Sequence, residues 1–158
     1  MKYLKWTVPA LVGTAVAGGL GTDVGSRWYD RLDLPPWQPP RWAFGPAWTT
    51  LYILIAVASA RTLERIEDED ERRAYARALA VNLGLNVAWT WIFFTAKRPR
   101  WSLAEILVLE VSNLGLIRRS ARVDGVAAGM LVPYAAWTAF ATTLNAAIVA
   151  RNPQASPA

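Results

Sequence analysis

The chain contains no cysteine and no histidine, and only two methionines occur in its 158 residues. Those absences remove disulfides, thiol and Cys–His catalysis and the usual zinc ligands. A histidine axial ligand to a haem iron is excluded as well. No metal site and no resident cofactor is therefore expected. Acid is also scarce: Asp and Glu number 12 against 17 Lys and Arg, a formal charge of +5. One acidic run, Glu67-Asp68-Glu69-Asp70-Glu71, is flanked by arginines and reads as a solvated loop or helix extension. The bases gather at the ends of apolar stretches, as at Lys2, Lys5, Lys97, Arg98, Arg100, Arg118, Arg119 and Arg122. That spreads them too thinly for a nucleic-acid groove, and no nucleic-acid partner is expected.

Apolar and aromatic surface is what the chain has in quantity: 54% of residues are hydrophobic and nine are tryptophan. Five apolar segments run from about Leu4 to Thr22, Phe44 to Ala60, Leu79 to Ala96, Trp101 to Ile117 and Val126 to Ala150. A helical span takes about 20 such residues, and each segment falls within or near that length. The expectation is an all-α integral membrane protein, a bundle of five transmembrane helices forming one domain over residues 1–158. Lys2 and Lys5 before an apolar run holding Ala15-Val16-Ala17 also match a cleaved leader. Lys and Arg divide unevenly between the two sides without fixing the orientation.

The densest signal is Trp37-Gln38-Pro39-Pro40-Arg41-Trp42-Ala43-Phe44-Gly45-Pro46-Ala47-Trp48-Thr49-Thr50-Leu51-Tyr52. Proline stiffens the approach to a helix without wasting a backbone donor there, and tryptophan sits best where water meets hydrocarbon. The block reads as a rigid aromatic lid leading into a membrane helix. Its spacing resembles the first loop and second helix of the translocator protein family, called TspO or tryptophan-rich sensory protein in bacteria. Two later blocks match in the same order. One is Leu85-Asn86-Val87-Ala88-Trp89 with Phe93-Phe94; the other is Val132-Pro133-Tyr134-Ala135-Ala136-Trp137-Thr138-Ala139-Phe140 running to Asn145. The resemblance requires the first segment as a bundle helix, so it is kept as a span, and it implies a bacterial cell membrane.

Helical geometry gives candidate pocket faces. Pro133, Trp137, Ala141 and Leu144 form one stripe on the last segment, and the small Ala141 leaves a recess beside the indole of Trp137. Trp101, Ala104 and Val108 make a similar large-small stripe on the fourth segment, while Asn86 and Trp89 share a face on the third. Spacing alone favours core packing over a ligand site, and Asn86 alone reads as an interhelical hydrogen-bonding group contributing roughly 1 kcal/mol. The resemblance adds that Phe44, Trp48, Asn86, Trp89, Trp101, Ala104, Val108, Trp137, Ala141 and Leu144 line the family's ligand cavity. It implies binding of porphyrins such as protoporphyrin IX, for tetrapyrrole sensing, transport or disposal. A flat, largely apolar macrocycle suits an aromatic cleft, with Arg41 or Arg27 meeting its carboxylates. Isoquinoline carboxamide and benzodiazepine-type ligands are implied as well. Two readings stand beside binding: light-dependent porphyrin degradation with Trp48 and Trp137 as the reactive indoles, and a small transporter or assembly partner without pocket chemistry.

Ala76, Ala80, Gly84 and Ala88 form a small-residue ridge at intervals of four, which suits close helix approach. The family is commonly homodimeric, so this ridge is expected at a dimer seam, whereas Gly13, Ala17 and Gly21 are expected to pack internally. Glu105 matches an acidic family position, and its own side chain is expected to reach the interface near Arg100; Glu110 departs from the family pattern, and three readings stand for it: protonation, a hydrogen bond to Asn113 or Ser112, or pairing across the dimer. The end of the last segment, Leu144 to Arg151, lacks the central tyrosine of the cholesterol-associated pattern of animal members, so sterol transport is not supported.

Overall fold

The computed structural model describes residues 1–155; the last three residues of the expected domain lie outside the described residues. Among the described residues every regular element is helical, with no strand. Five long helices are α1 (Leu4–Gly21), α3 (Arg41–Arg65), α4 (Glu69–Thr90), α5 (Pro99–Ala121) and α6 (Gly125–Arg151). The count differs from the expected five, because a sixth, four-residue helix, α2 (Arg27–Asp30), lies in the segment before α3. Its cause is local: the Ser26 hydroxyl caps it by accepting from the Tyr29 N–H at 3.3 Å. So short a helix has no apolar periodicity to reveal it.

By length and composition, α3, α4 with its extension to Thr95, and α6 can each cross a membrane. The acidic run belongs to the start of α4. Asp68 caps it, accepting from the Glu71 N–H at 2.7 Å, and Glu69, Asp70 and Glu71 complement the positive end of the helix. Arg72 reaches back from that turn to the Leu63 and Ile66 carbonyls that end α3. One tight corner thereby joins two long helices.

The third segment ends differently from a plain helix. Trp91–Thr95 is a π turn, closed by the Ala96 N–H donating to the Trp91 carbonyl at 2.8 Å, and the chain reverses at Lys97 with φ of 56°. The turn buries both consecutive rings, Phe93 and Phe94, and lays Trp91 on the last turn of α1. There the indole Nε1–H donates to the Ala17 carbonyl at 2.9 Å, and a Cβ at Gly21 would lie 2.6 Å from the ring. The α1 ridge is therefore internal at Gly21 but not along its length, since Gly13 is exposed with open space beside it. The main core lies between α1, α3, α4, α5 and α6 and includes Ile55, Tyr75, Ile106, Leu116 and Tyr134. A second cluster, with Tyr29, Leu32, Phe93, Phe94, Leu144 and Ile148, forms under the lid of residues 22–40.

Candidate functional site

Helices α3 and α6 set the walls. Phe44 and Trp48 come from the first turns of α3, Trp137 from the middle of α6, and Ala141 and Leu144 from its second half. The Phe44 and Trp137 rings meet edge to face at 5.9 Å, as do Trp48 and Trp137 at 6.5 Å. Opposite them Trp89 stacks on Phe93 at 5.6 Å and meets Phe94 edge-on at 6.2 Å. Tyr29, Gln38 and Val24 close the top from the lid. Between these groups lies a cavity of about 130 Å³. That is below the ~300–1,000 Å³ of sites for larger ligands.

The lid is held at its surface by two ion pairs. Arg41 Nη2 donates to Asp30 at 2.7 Å, and Arg151 Nη1 lies 3.1 Å from both carboxylate oxygens of Asp33. The Asp33 N–H and carbonyl also exchange hydrogen bonds with the side chain of Asn152 at 2.9 and 3.0 Å. Exposed pairs of this kind hold weakly; the lid is also attached through the buried Tyr29 and Leu32 and through ring contacts of Trp28 with Phe93 and Trp37 with Phe140. Burial pushes the Tyr29 phenol above its usual range, with the Gln38 hydrogen bond and the Arg41 charge opposing it.

Polar groups in the wall are few and mostly engaged. The Trp89 Nε1–H and the Ser102 hydroxyl both donate to Asn145 Oδ1, at 3.2 and 2.9 Å, while Asn145 Nδ2 donates to the Pro99 carbonyl. Asn145 thereby fixes the indole that floors the cavity and ties α6 to the start of α5.

Of the residues expected at the site, Phe44, Trp48, Trp89, Trp137, Ala141 and Leu144 come together around this cavity. Trp101, Ala104 and Val108 do not: all three are exposed on the outer side of α5, whose inward face carries Ser102, Ile106, Leu109 and Asn113. The large-small stripe exists, but spacing does not say which side of a helix faces inward. Asn86 lies in the core rather than in the cavity wall. It accepts from the Tyr52 hydroxyl at 2.9 Å and donates to the Tyr134 hydroxyl at 3.1 Å, joining three helices. Of the two candidate cations, Arg41 lines the cavity and Arg27 stands exposed outside it. Helical spacing does not reveal Tyr29, Gln38, Phe93, Phe94 or Phe140; the Phe93-Phe94 pair is visible as a motif, but only the π turn brings both rings inward.

The two α5 carboxylates differ in their surroundings. Both oxygens of Glu105 are buried with no hydrogen-bond partner. Glu110 is engaged by the Thr138 hydroxyl and by Asn113 Nδ2, so the Asn113 partnership expected from sequence is present.

A family model described as TspO/MBR family matches residues 6–151. The chain is 37% identical over 147 residues to a human protein named Translocator protein, covering 87% of this chain and 86% of the other. It is 35% identical over 138 residues to Tryptophan-rich protein TspO of Chlorobaculum tepidum, covering 87% of each. Protein CrtK of Rhodobacter capsulatus is 34% identical over 148 residues, with 92% of each chain covered.

Proposed function

The chain belongs to the TspO/MBR family and is a helical membrane protein with bacterial relatives, and from that premise we propose that it binds porphyrins in the aromatic cavity under its lid. The observation that carries this reading is the cavity wall itself. Rings from α3, the π turn and α6 line it, its floor indole is fixed by Asn145, and a single cation, Arg41, stands at the rim. Flat apolar rings gain area and edge-to-face contacts against such a wall. Because the cavity holds about 130 Å³ when closed, binding includes displacement of residues 22–40. Isoquinoline carboxamide or benzodiazepine-type ligands, which are smaller, suit the same rings. In this reading all five long helices span the bilayer and α2 lies in the lid at its surface. The test is titration of the detergent-purified protein with protoporphyrin IX, read as quenching of tryptophan fluorescence. Saturable quenching is expected, and quenching that rises without saturation refutes the proposal.

A second reading is favoured by the 6.5 Å contact of Trp48 with Trp137, two electron-rich indoles in one wall. Light absorbed by a bound porphyrin would draw an electron from such an indole, giving a porphyrin radical anion and an indole radical cation; dissolved dioxygen is then the oxidant required for ring opening of the porphyrin. Trp48→Phe and Trp137→Phe keep most of the apolar surface while making the ring harder to oxidise. Binding is expected to persist while light-driven porphyrin loss falls. Equal loss with wild type, variants and free porphyrin would make the protein a binding module only.

The functional unit in this reading is a homodimer through α4. Ala76, Ala80 and Gly84 are exposed, Ala88 is half-buried, and a Cβ at Gly84 would meet nothing within 4 Å. The ridge is thus free to meet a second copy at close range. Gly84→Leu is expected to convert dimer to monomer in membrane crosslinking; an unchanged dimer would place the seam elsewhere.

A further inference from the structure

Arg41 is the one charged side chain among the described residues that line the cavity, and it is already occupied. Its Nη2 donates to Asp30 Oδ1 at 2.7 Å, and its guanidinium lies 5.2 Å from the centroid of the Tyr29 ring. Asp30 belongs to the lid and does not line the cavity; the pair stands about half exposed, at 48% and 53% for the two side chains. A second group converges on the same tyrosine. Gln38 Nε2 donates to the Tyr29 hydroxyl at 3.1 Å, while Gln38 Oε1, also at the cavity, is buried without a partner. A phenol both donates and accepts, so the amide can turn over, keep its bond to Tyr29 and present its NH₂ to the cavity instead.

On the reading that this cavity takes a porphyrin, we propose that Asp30 is an internal stand-in for a ligand carboxylate. An incoming carboxylate replaces Asp30 on Arg41, and the Gln38 amide supplies a second donor beside it. Three observations support the exchange. The resident pair is exposed, so its rupture costs little and water receives the freed Asp30. The guanidinium fork suits a carboxylate in two-point contact, and the neighbouring amide has an unused polar end inside a largely apolar wall. Displacing Asp30 also removes one of the two ion pairs that hold the lid, so recognition of the acid loosens the lid at the same residue. The consequence is selectivity: an apolar ring bearing a free carboxylate is preferred over the same ring with that group esterified.

The test uses two probes, protoporphyrin IX and its dimethyl ester, titrated against the full-length protein and its Asp30→Asn and Arg41→Gln variants by tryptophan quenching. Both substitutions lie at exposed positions, so the helical spectrum is expected to stay unchanged. The wild type is expected to prefer the acid by about fivefold, the scale of an exposed ion pair. Asp30→Asn should widen that preference by about threefold to fivefold, and Arg41→Gln should bring the acid-to-ester ratio to about one. An acid-to-ester ratio unmoved by either substitution overturns the exchange while porphyrin binding stands. Equal gains for acid and ester in Asp30→Asn would show that Asp30 only latches the lid, and they also overturn it. Failure of both probes to bind wild type overturns the proposed function, and the exchange with it.

Discussion

Where α3 and α5 finish and α4 and α6 begin, the helices are joined by satisfied polar groups; where α1 and α4 finish, they are spaced by rings. At the first end the Tyr75 hydroxyl reaches both Ser59 and Ser120, the Thr62 hydroxyl donates to Ser120 at 2.9 Å, and Arg61 closes on Asp124 at 2.9 Å. Every one of these groups except Arg61 is buried. At the lid end the rings of Phe44, Trp48, Phe93 and Trp137 meet edges and faces around open space. Hydrogen bonds fix distance and direction, so a polar end admits one arrangement. Ring pairs accept both offset-stacked and edge-to-face arrangements over a range of centroid distances, so an aromatic end can re-form around a ligand. The bundle is anchored at one end and adaptable at the other.

The strongest way to break this comparison is at the anchor. Asp124 accepts from the Val126 and Ala127 N–H groups at 3.0 and 3.1 Å, capping α6, and it holds Arg61 while almost fully buried. Asp124→Ala removes a cap and leaves a half-buried guanidinium unpaired, a loss of about 3 kcal/mol. Thermal unfolding in detergent should show a larger fall for it than for a substitution at any glycine or lid residue. Burial opposes ionisation of Asp124, but the Ala127 N–H and the Arg61 charge outweigh it and hold the carboxyl below its ordinary value. A lowered folded pKa contributes stability that is present above the unfolded value of about 3.9 and is lost as pH falls through the folded one. Asp124→Asn should therefore lose less stability than wild type on acidification, and an acid-side profile identical to wild type would contradict the anchor.

Next in size is the seam between α1 and the π turn. A Cβ at Gly21 would lie 2.6 to 2.9 Å from three atoms of the Trp91 ring, whose Nε1–H is bonded to Ala17. The ring cannot retreat without breaking that bond, so Gly21→Ala is expected to cost about 1–3 kcal/mol. Gly13→Ala is the control: open space surrounds it on the same helix, and the better helix former should be neutral or stabilising by up to about 1 kcal/mol. Equal effects at the two glycines would mean that the π turn does not bear on α1.

At the adaptable end, substitution should move affinity rather than stability. Trp137→Ala removes ring contacts to Phe44 and Trp48 and is expected to weaken protoporphyrin IX binding by about 1–3 kcal/mol with the helical spectrum intact. An unchanged dissociation constant would take Trp137 out of the binding wall.

This division also explains which parts of the molecule are legible in the sequence. The long helices are legible because apolar length is a direct signal, and the cavity residues on α3 and α6 because the Trp/Pro blocks carry a family resemblance. The inward face of α5 is not. In a membrane helix both faces are apolar, so the stripe of Trp101, Ala104 and Val108 has a period but no phase. The phase lies in the polar residues: Ser102, Asn113 and Ser120 are buried, and they mark the side turned toward other helices. Likewise Asn82, Asn86 and Asn113 lie buried in one linked network, with Asn82 Nδ2 donating to Asn113 Oδ1 at 2.7 Å and Tyr134 joining Asn82 to Asn86. The lid is legible as rigid and aromatic, but α2 and the π turn are set by local hydrogen bonds and leave no periodic trace.

The smallest effect, and the sharpest test of the adaptable end, is at Asp33. Its carboxylate meets Arg151 at 3.1 Å with the two side chains 62% and 41% exposed, so the ion pair contributes at most about 1 kcal/mol. Asp33→Asn removes the charge but keeps the backbone of residue 33 bonded to the Asn152 side chain at 2.9 and 3.0 Å. The lid should therefore open more often without coming loose, and the bundle should not notice. Hydrogen exchange at the Gln38 N–H, which donates to the Pro35 carbonyl inside the lid, is expected to quicken by up to about fivefold while the melting temperature stays that of wild type. Exchange is the right measurement because it reads local opening, whereas melting reads the anchor. A fall in melting temperature comparable to that of Asp124→Ala would mean that lid and bundle unfold as one unit, and the two ends would not differ in kind.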